Sequence, residues 1–433
     1  MPHNANAVFV ALVLSFSSSV AQDWGTTGSW QILNSPSSSP PSFTYRKPTS
    51  SAGCFFVLTN NSATGNMGVS QFDIINNVWT TLPDLPLTNP LLDPFMLDFS
   101  GFVVAIDELN PSNAVILDSV NNNGWKTLSL PGYASVSRFG QRFAPWGPLL
   151  FSFAGVEINT WSNHNDLWAI DFSSAVTSSS TASWVKVIDD GANGSPPARV
   201  GYSFTNFGLG LVMFGGASID AGGSDPDLCF GLTTNSICHF HSTVWAFTAG
   251  LQGSNSLKPL STSTWIKLPD GPGAQPSGRF DHTAAAMSNQ LFIFGGTTAL
   301  GTSNELWAYN LQTNTWAIVT ATSAFPSINS DIGYGAGIGI GRHLLQFVQS
   351  IDQTGNPLAN TGQLWMWSPS SGSSSPSSGS GSSSNNITNS AGTIAGLVIL
   401  TLLALANLAF LILLYRGKAA SAQSLGDVYS LSA

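Results

Sequence analysis

Several residues that can bind a ligand or a metal ion lie close together in the polar segment 220–241, DAGGSDPDLCFGLTTNSICHFH. They are Asp225, Asp227, His239 and His241. Side chains two positions apart point to the same side of an extended strand, so the two imidazoles can act together. Imidazole and carboxylate groups ligate divalent metals. Polar residues in a solvated loop do not require a metal, however, so we predict ligand binding here and neither a bound metal nor another cofactor.

The same segment holds two of the three cysteines of the chain. Cys229 and Cys238 lie nine positions apart, and we predict a disulfide between them that stabilises the loop by about 2–4 kcal/mol. An odd number of cysteines excludes complete intramolecular pairing. Cys54 lies in the apolar run CFFVL and is predicted to be a buried free thiol that behaves as a small hydrophobic side chain.

A second group of potential binding residues lies in WSNHNDLW, residues 161–168. Trp161 offers an aromatic face on which a sugar can stack, and His164 offers an imidazole beside it. The alternative interpretation is a turn that is anchored by one aromatic residue.

Basic residues recur just before three apolar runs, at Arg138, Arg199 and Arg279. If these positions meet on one face of the fold, they can bind an anion. The alternative is that each arginine, like His282 in PSGRFDHT, is a structural part of a repeat.

Composition limits the classes of partner. The net charge is -9, charged residues make up 8% of the chain, and only 13 lysines and arginines are present. A nucleic-acid partner is therefore not expected, because phosphate backbones bind to clusters of basic residues. Hydrophobic residues make up 43%, which is enough for a large core.

Both ends of the chain carry targeting patterns. Residues 7–16, AVFVALVLSF, are apolar but too short to span a bilayer. Small residues follow, so we predict a removed signal peptide over 1–21, with an N-terminal membrane anchor as the alternative. Residues 393–415 are 23 residues without charge, followed by Arg416 and Lys418. They predict one transmembrane helix with the tail 416–433 in the cytoplasm and the preceding chain outside.

This topology places the chain in a plasma membrane or another membrane of the secretory pathway. It exposes three potential N-glycosylation sites, at Asn60, Asn193 and Asn386. The Ser/Gly-rich segment 368–392 is predicted to be a disordered stalk. Small residues and one asparagine in or near the membrane segment are compatible with a helix-mediated dimer.

Four features recur in the same order along the chain: a short apolar run, a double glycine, a Leu-Trp or Val-Trp pair, and a further tryptophan. LFIFGG, ELWAY and NTWAIV form one copy within 291–319, and LGLVMFGG, TVWAF and STWIKL form another within 209–268. The last tryptophans of the copies, which are separated by 49, 46, 59, 81 and 51 residues, are Trp30, Trp79, Trp125, Trp184, Trp265 and Trp316. The apolar runs predict strands that are buried on both faces. The tryptophans are large enough to fill the gaps between wedge-shaped sheets.

A period near 50 residues with these features resembles that of the kelch repeats and of the galactose-oxidase central domain. The resemblance implies an all-β, kelch-type β-propeller, which we assign to residues 22–367. The last copy ends at its third strand, residues 363–367, whereas residues 28–33 match a fourth strand. We therefore predict six blades, with the N-terminal strand completing the last blade. Five or seven blades are the alternatives, because the 81-residue interval is long.

That long interval contains an insertion between the second and third strands of the fourth copy. Gly216 and Trp245 are 29 positions apart, whereas the corresponding Gly296 and Trp307 are 11 apart, a difference of 18 residues. Long loops on a rigid scaffold frequently carry recognition. The insertion contains the ligand-binding residues predicted above.

The resemblance to galactose oxidase implies copper held by a Tyr–Cys crosslink, a second tyrosine and two histidines, but the Cys-rich segment here contains no tyrosine. We identify no catalytic residues. The favoured hypothesis is a cell-surface module that binds an extracellular protein or carbohydrate. The alternatives are an extracellular oxidase or glycan hydrolase, and a structural wall or adhesion protein.

Overall fold

A computed structural model describes residues 27–33, 48–51, 53–60, 67–86, 94–118, 124–134, 136–160, 162–177, 182–192, 194–207, 210–219, 238–248, 264–287, 289–323, 337–340, 343–348 and 363–370. Their regular structure is almost entirely β-strand, as predicted, with one short helix, α1, at Phe172–Thr177. The strands are β1 Thr27–Leu33, β2 Thr49–Ser51, β3 Cys54–Asn60, β4 Met67–Asp73, β5 Val78–Leu82, β6 Pro94–Phe99, β7 Phe102–Asp107, β8 Asn113–Asp118, β9 Trp125–Ser129, β10 Arg138–Phe139, β11 Arg142–Trp146, β12 Leu149–Phe153, β13 Val156–Glu157, β14 Leu167–Asp171, β15 Val185–Ile188, β16 Ser203–Asn206, β17 Leu211–Phe214, β18 Ala217–Ile219, β19 Cys238–Phe240, β20 Val244–Thr248, β21 Thr264–Lys267, β22 Arg279–Phe280, β23 Thr283–Met287, β24 Gln290–Phe294, β25 Thr297–Thr298, β26 Gly301–Thr302, β27 Leu306–Asn310, β28 Thr315–Ile318, β29 Thr320–Ala321, β30 Gly337–Ile340, β31 His343–Val348 and β32 Gln363–Pro369.

Six of the sheets built from these described strands contain four or more strands. We number them sheet 1 (β2-β3-β4-β5), sheet 2 (β6-β7-β8-β9), sheet 3 (β11-β12-β14-β15), sheet 4 (β16-β17-β20-β21), sheet 5 (β23-β24-β27-β28) and sheet 6 (β30-β31-β32-β1-β29). Small additional sheets are β10-β13, β18-β19 and β22-β25-β26. Neighbouring strands within sheets 1 to 5 are antiparallel, so each of these sheets is a meander.

The first strands of successive sheets are in contact. In order around this circuit they are β2, β6, β11, β16, β23 and β30, and β30 in turn contacts β2. These inner strands line a common cavity of about 400 Å³. Antiparallel sheets stacked around a central axis are the architecture of a β-propeller, and the described structure is consistent with that fold.

The second strand of each sheet lies in the core because a sheet packs on either side of it. All five residues of β24 are buried, as are all four residues of β17. One hydrophobic cluster joins Val212 and Phe214 of sheet 4 to Leu291 and Ile293 of sheet 5. Burial on both faces explains why these strands are continuously apolar instead of alternating.

The recurring tryptophan of each fourth strand packs against a neighbouring sheet. Its partner in three cases is a phenylalanine at the end of the preceding sheet's second strand. The ring-centroid distances are 4.8 Å for Trp265 and Phe153, 5.1 Å for Trp316 and Phe214, and 4.9 Å for Trp30 and Phe294. The tryptophans thus fill the space between sheets, as the sequence predicts.

The N-terminal strand completes the last sheet, as predicted from its sequence. β1 pairs antiparallel with β32 from Gly28 opposite Pro369 to Leu33 opposite Leu364. A residue at position 28 needs to be small, because a Cβ there would lie 2.5 Å from the ring of Trp367. The pairing of β1 with β32 covers a strand edge of sheet 6 that would otherwise be open.

Several predicted segments lie outside the described residues. They are the signal peptide 1–21, the membrane segment 393–415, the tail 416–433 and nearly all of the stalk 368–392. β32 continues to Pro369, so the first residues assigned to the stalk belong to a strand. No helix within the described part of the chain is long and apolar enough to cross a membrane.

Candidate functional site

Each sheet has one end from which its potentially functional loops emerge. In sheet 4, Ser203 at the start of β16 pairs with Phe214 at the end of β17, and in sheet 5 Thr283 pairs with Phe294. The connection between the second and third strands therefore leaves from the end at which the first strand begins. We call this end of the sheets the loop face.

A charged cluster shows that the loop faces of sheets 2 to 5 coincide. The Arg142 guanidinium, from sheet 3, lies 3.3 Å from Glu108 after β7 and 3.2 Å from Asp281 before β23. The backbone N–H of Arg142 donates to the hydroxyl of Tyr202, before β16, at 3.0 Å. Glu108 is fully buried and Asp281 is 21% exposed. Sequence analysis missed this cluster, because it depends on which loops meet across the circuit.

The arginine of sheet 3 is part of a buried ion pair. Arg138 contacts both carboxylate oxygens of Asp166, at 2.5 and 3.1 Å. The two side chains are 4% and 1% exposed. Trp168 Nε1 donates to the same carboxylate at 2.9 Å. This arginine is structural, in agreement with the second interpretation of its repeated position.

The arginine of sheet 5 is also satisfied by its own repeat. Arg279 Nη2 donates to Glu305 at 3.0 Å, and Nη1 donates to the Gly295 carbonyl at 2.9 Å and to Ser303 Oγ at 3.2 Å. Its Nε donates to the Ser277 carbonyl at 3.1 Å. Arg279 is fully buried and its guanidinium is already paired with the Glu305 carboxylate, so it is not available for anion binding.

The arginine of sheet 4 keeps the backbone contacts but not the carboxylate. Arg199 Nε donates to the Pro197 carbonyl at 2.9 Å and Nη1 donates to the Gly215 carbonyl at 2.8 Å. Nη2 is buried and has no hydrogen-bond partner among the residues that the structure describes. Burial lowers the pKa of Arg199 to about 9, so the group stays cationic at neutral pH.

His164 lies in the loop between the second and third strands of sheet 3. Its Nδ1 is 2.8 Å from Asp190 and its Nε2 is 3.7 Å from Glu157. The backbone N–H of Asn165 also donates to Asp190, at 2.7 Å. Only 16% of the His164 side chain is exposed. Trp161, the other residue predicted there, lies outside the described residues.

The two histidines of the insertion lie at the loop face of sheet 4. His239 is in β19 and is exposed. His241 Nε2 lies 2.9 Å from Ser218 Oγ. Burial and the nearby Arg199 charge lower the pKa of His241 to about 3, so its imidazole is neutral. Among the described residues, no group of three or more His, Cys, Asp or Glu side chains is placed to hold a metal ion.

Most of the other predicted binding, disulfide and glycosylation residues are not among the residues that the structure describes. Asp225, Asp227, Cys229, Asn193 and Asn386 lie outside the described residues. Cys238 begins β19 and Asn60 ends β3.

Cys54 differs from its prediction in being only half-buried. It is a free thiol, and Gln71 Nε2 donates to its sulfur at 2.8 Å. Cys54 is the first residue of β3 and follows the turn residue Gly53. Burial raises the pKa of the Cys54 thiol, which keeps it protonated and unreactive.

His282 lies where sheets 4 and 5 meet at the central cavity. It is 5% exposed, and its ring contacts Phe214 at 5.2 Å in an edge-to-face arrangement. Burial lowers the pKa of His282 to about 3. The neutral ring is a packing element, in agreement with its interpretation as part of the repeat.

Among the described residues, the most exposed large apolar side chain, Leu300, lies at the loop face. Leu300 is 99% exposed in the turn between β25 and β26, within the loop after the second strand of sheet 5. Sequence analysis missed it, although a lone leucine between threonines and glycine in TTALGT is an available signal.

The fold and this face define an all-β repeat protein with propeller-like packing, and comparison with known proteins agrees. The Kelch motif matches residues 278–321. Human Kelch domain-containing protein 3 is 26% identical over 210 residues, 47% of this chain and 46% of that protein. Human Kelch domain-containing protein 1 is 25% identical over 228 residues, 52% of each. The Leucine-zipper-like transcriptional regulator 1 homolog of Drosophila melanogaster is 24% identical over 260 residues, 52% of this chain and 25% of that protein.

The chain thus spans about half, or less, of the length of these curated relatives. The matches support a kelch-repeat protein. Kelch repeats generally mediate protein interactions.

Proposed function

We propose that this protein is a cell-surface kelch-type propeller of six blades that binds an extracellular protein or carbohydrate through its loop face. The blade number is supported by the six sheets of four or more described strands and by the circuit of contacts between their first strands. Closure by β1 supports a ring that begins and ends in one blade.

The binding role is carried by one observation. Arg142 links sheet 3 to Glu108, Tyr202 and Asp281 of sheets 2, 4 and 5, so their loops lie on one side of a rigid scaffold. Binding residues are concentrated on loops that such a scaffold positions. The exposed Leu300 adds an apolar contact at the same face.

The proposed topology is a cleaved signal peptide, an external propeller, a stalk and one membrane helix with a short cytoplasmic tail. Its support is the sequence pattern at the two ends of the chain. Glycosylation, the Cys229–Cys238 disulfide and a helix-mediated dimer belong to the same proposal. A protease added to intact cells should remove the propeller, and enzymatic deglycosylation should reduce the apparent mass. A propeller that survives the protease would contradict the topology.

The binding proposal is tested by proximity labelling with the full chain on intact cells. We expect Leu300→Ser combined with His239→Ala to reduce labelling of a saturable partner. The control is Ile75→Ser, because Ile75 is 84% exposed in the turn between β4 and β5, at the sheet end opposite the loop face. Equal labelling by both variants would contradict the proposal, and would favour a mainly structural protein.

A further inference from the structure

Three sheets share a position at which an acidic residue is expected. In sheets 3, 4 and 5 the last phenylalanine of the second strand pairs with the first residue of the third strand. The residues that directly precede this third strand are Asp166, Thr243 and Glu305. In each sheet the tryptophan two residues later donates its Nε1 hydrogen to this side chain, and the pairs are Trp168–Asp166 at 2.9 Å, Trp245–Thr243 at 3.1 Å and Trp307–Glu305 at 3.0 Å. The three positions are therefore structurally equivalent.

Sheet 4 lacks the side-chain acceptors that bind the guanidinium of the corresponding arginine in sheet 5. Arg279 has three such acceptors, Ser277, Ser303 and Glu305. The corresponding residues around Arg199 are Pro197, His241 and Thr243. Arg199 therefore keeps the backbone contacts that Arg279 makes but has none of its three side-chain contacts.

The charge of Arg199 is therefore buried without a counter-ion among the described residues. A buried charge is strongly unfavourable unless it is paired and hydrogen-bonded. His241 does not add a competing positive charge, because its imidazole is neutral at physiological pH. At this end of sheet 4, Ser218, His241 and Thr243 are only partly buried, and His239 is exposed.

We propose that Arg199 and Thr243 form a binding site for a carboxylate group of the ligand. The carboxylate occupies the place that the Glu305 carboxylate takes in sheet 5 and accepts a hydrogen bond from Arg199 Nη2. Thr243 Oγ1 accepts from Trp245, which leaves the hydroxyl hydrogen to donate to the same carboxylate. This inference rests on the proposed function, because it assigns a chemical class to the ligand of the loop face: an acidic side chain or a sugar acid.

The test uses acetate as a minimal carboxylate and the thermal unfolding temperature of the purified full chain. Millimolar acetate should raise the Tm of the wild type saturably, by about 2 °C beyond equal chloride. Thr243→Glu supplies the carboxylate within the chain, so it should raise the Tm by itself and abolish the specific response to acetate. Thr243→Gln fills the same place with a neutral amide, so it should also abolish the response to acetate but raise the Tm less than Thr243→Glu does.

A second variant protects the test against misfolding of the first. Glu305→Thr removes the carboxylate that faces Arg279 in sheet 5 and should gain a response to acetate, whereas Glu305→Gln, whose amide still fills the site, should not. A wild type without a saturable response, or an equal response in Thr243→Glu, overturns the carboxylate site. These outcomes leave the proposed function intact if partner labelling still depends on Leu300, so the two failures are distinguishable.

Discussion

The buried ion pair of sheet 3 gives the sharpest stability prediction. Asp166→Asn preserves the shape of the side chain but removes the charge opposite Arg138. Both groups are nearly inaccessible to water, at 1% and 4% exposure, and two short contacts join them. Removing one partner of such a pair leaves an uncompensated buried charge and costs about 3–5 kcal/mol.

The measurement is urea unfolding of the full chain, followed by tryptophan fluorescence and extrapolated to zero denaturant. Asp189→Asn is the matched control, because Asp189 is 88% exposed and lies 4.0 Å from Lys186. The Asp189→Asn variant should lose about 1 kcal/mol or less of its free energy of unfolding. The double variant Arg138→Met with Asp166→Leu should recover most of the loss, since it removes both charges. If Asp166→Asn were no more destabilising than Asp189→Asn, the reasoning from burial would be refuted.

Three further predictions concern the ring and its loop face. Trp30→Ala should destabilise the chain by about 3–5 kcal/mol in urea, because the indole is 5% exposed between two sheets, and unchanged stability would argue against closure by β1. Gly216→Ala should lower the free energy of unfolding by more than about 1 kcal/mol, because φ is +94° and a Cβ would lie 2.9 Å from backbone and side-chain atoms. Gly273→Ala, at φ +102° with open space around it, should lower the free energy of unfolding less. Burial raises the pKa of Glu305, but hydrogen bonds from its tryptophan and from Arg279 outweigh it and hold the pKa below 4.5. Its stabilising contribution is therefore present above about pH 4.5 and lost as the pH falls through the folded pKa, so Glu305→Gln should flatten the acid limb of a stability-against-pH curve, and parallel curves would contradict the pairing.

Much of the fold follows from local sequence. Apolar runs such as LFIF, closed by two glycines, identify second strands, and the spaced tryptophans identify fourth strands. The pairing of β1 with β32 was also predictable, because residues 28–33 match a fourth strand that the last copy lacks. These features are readable because a strand buried on both faces must be apolar throughout.

The candidate site was only partly predictable for a different reason. His164, His239 and His241 are recognisable as polar residues in loops, but their exposures and partners depend on other loops. The contact of Arg142 with Asp281 spans residues 139 positions apart, and no local pattern indicates it. Leu300 was overlooked because a single apolar residue in a loop has no periodicity.

The sequence by itself determined the repeat, the strands and the strand that completes the last sheet, because each depends on the order of apolar, glycine and tryptophan residues along the chain. Tertiary structure alone decided which arginine is neutralised. Arg138, Arg199 and Arg279 occupy the same place in the repeat, yet only the folded arrangement shows an acid opposite the first and the last and a threonine near the second. The reason is physical: the free energy of a buried charge depends on the groups that surround it in space.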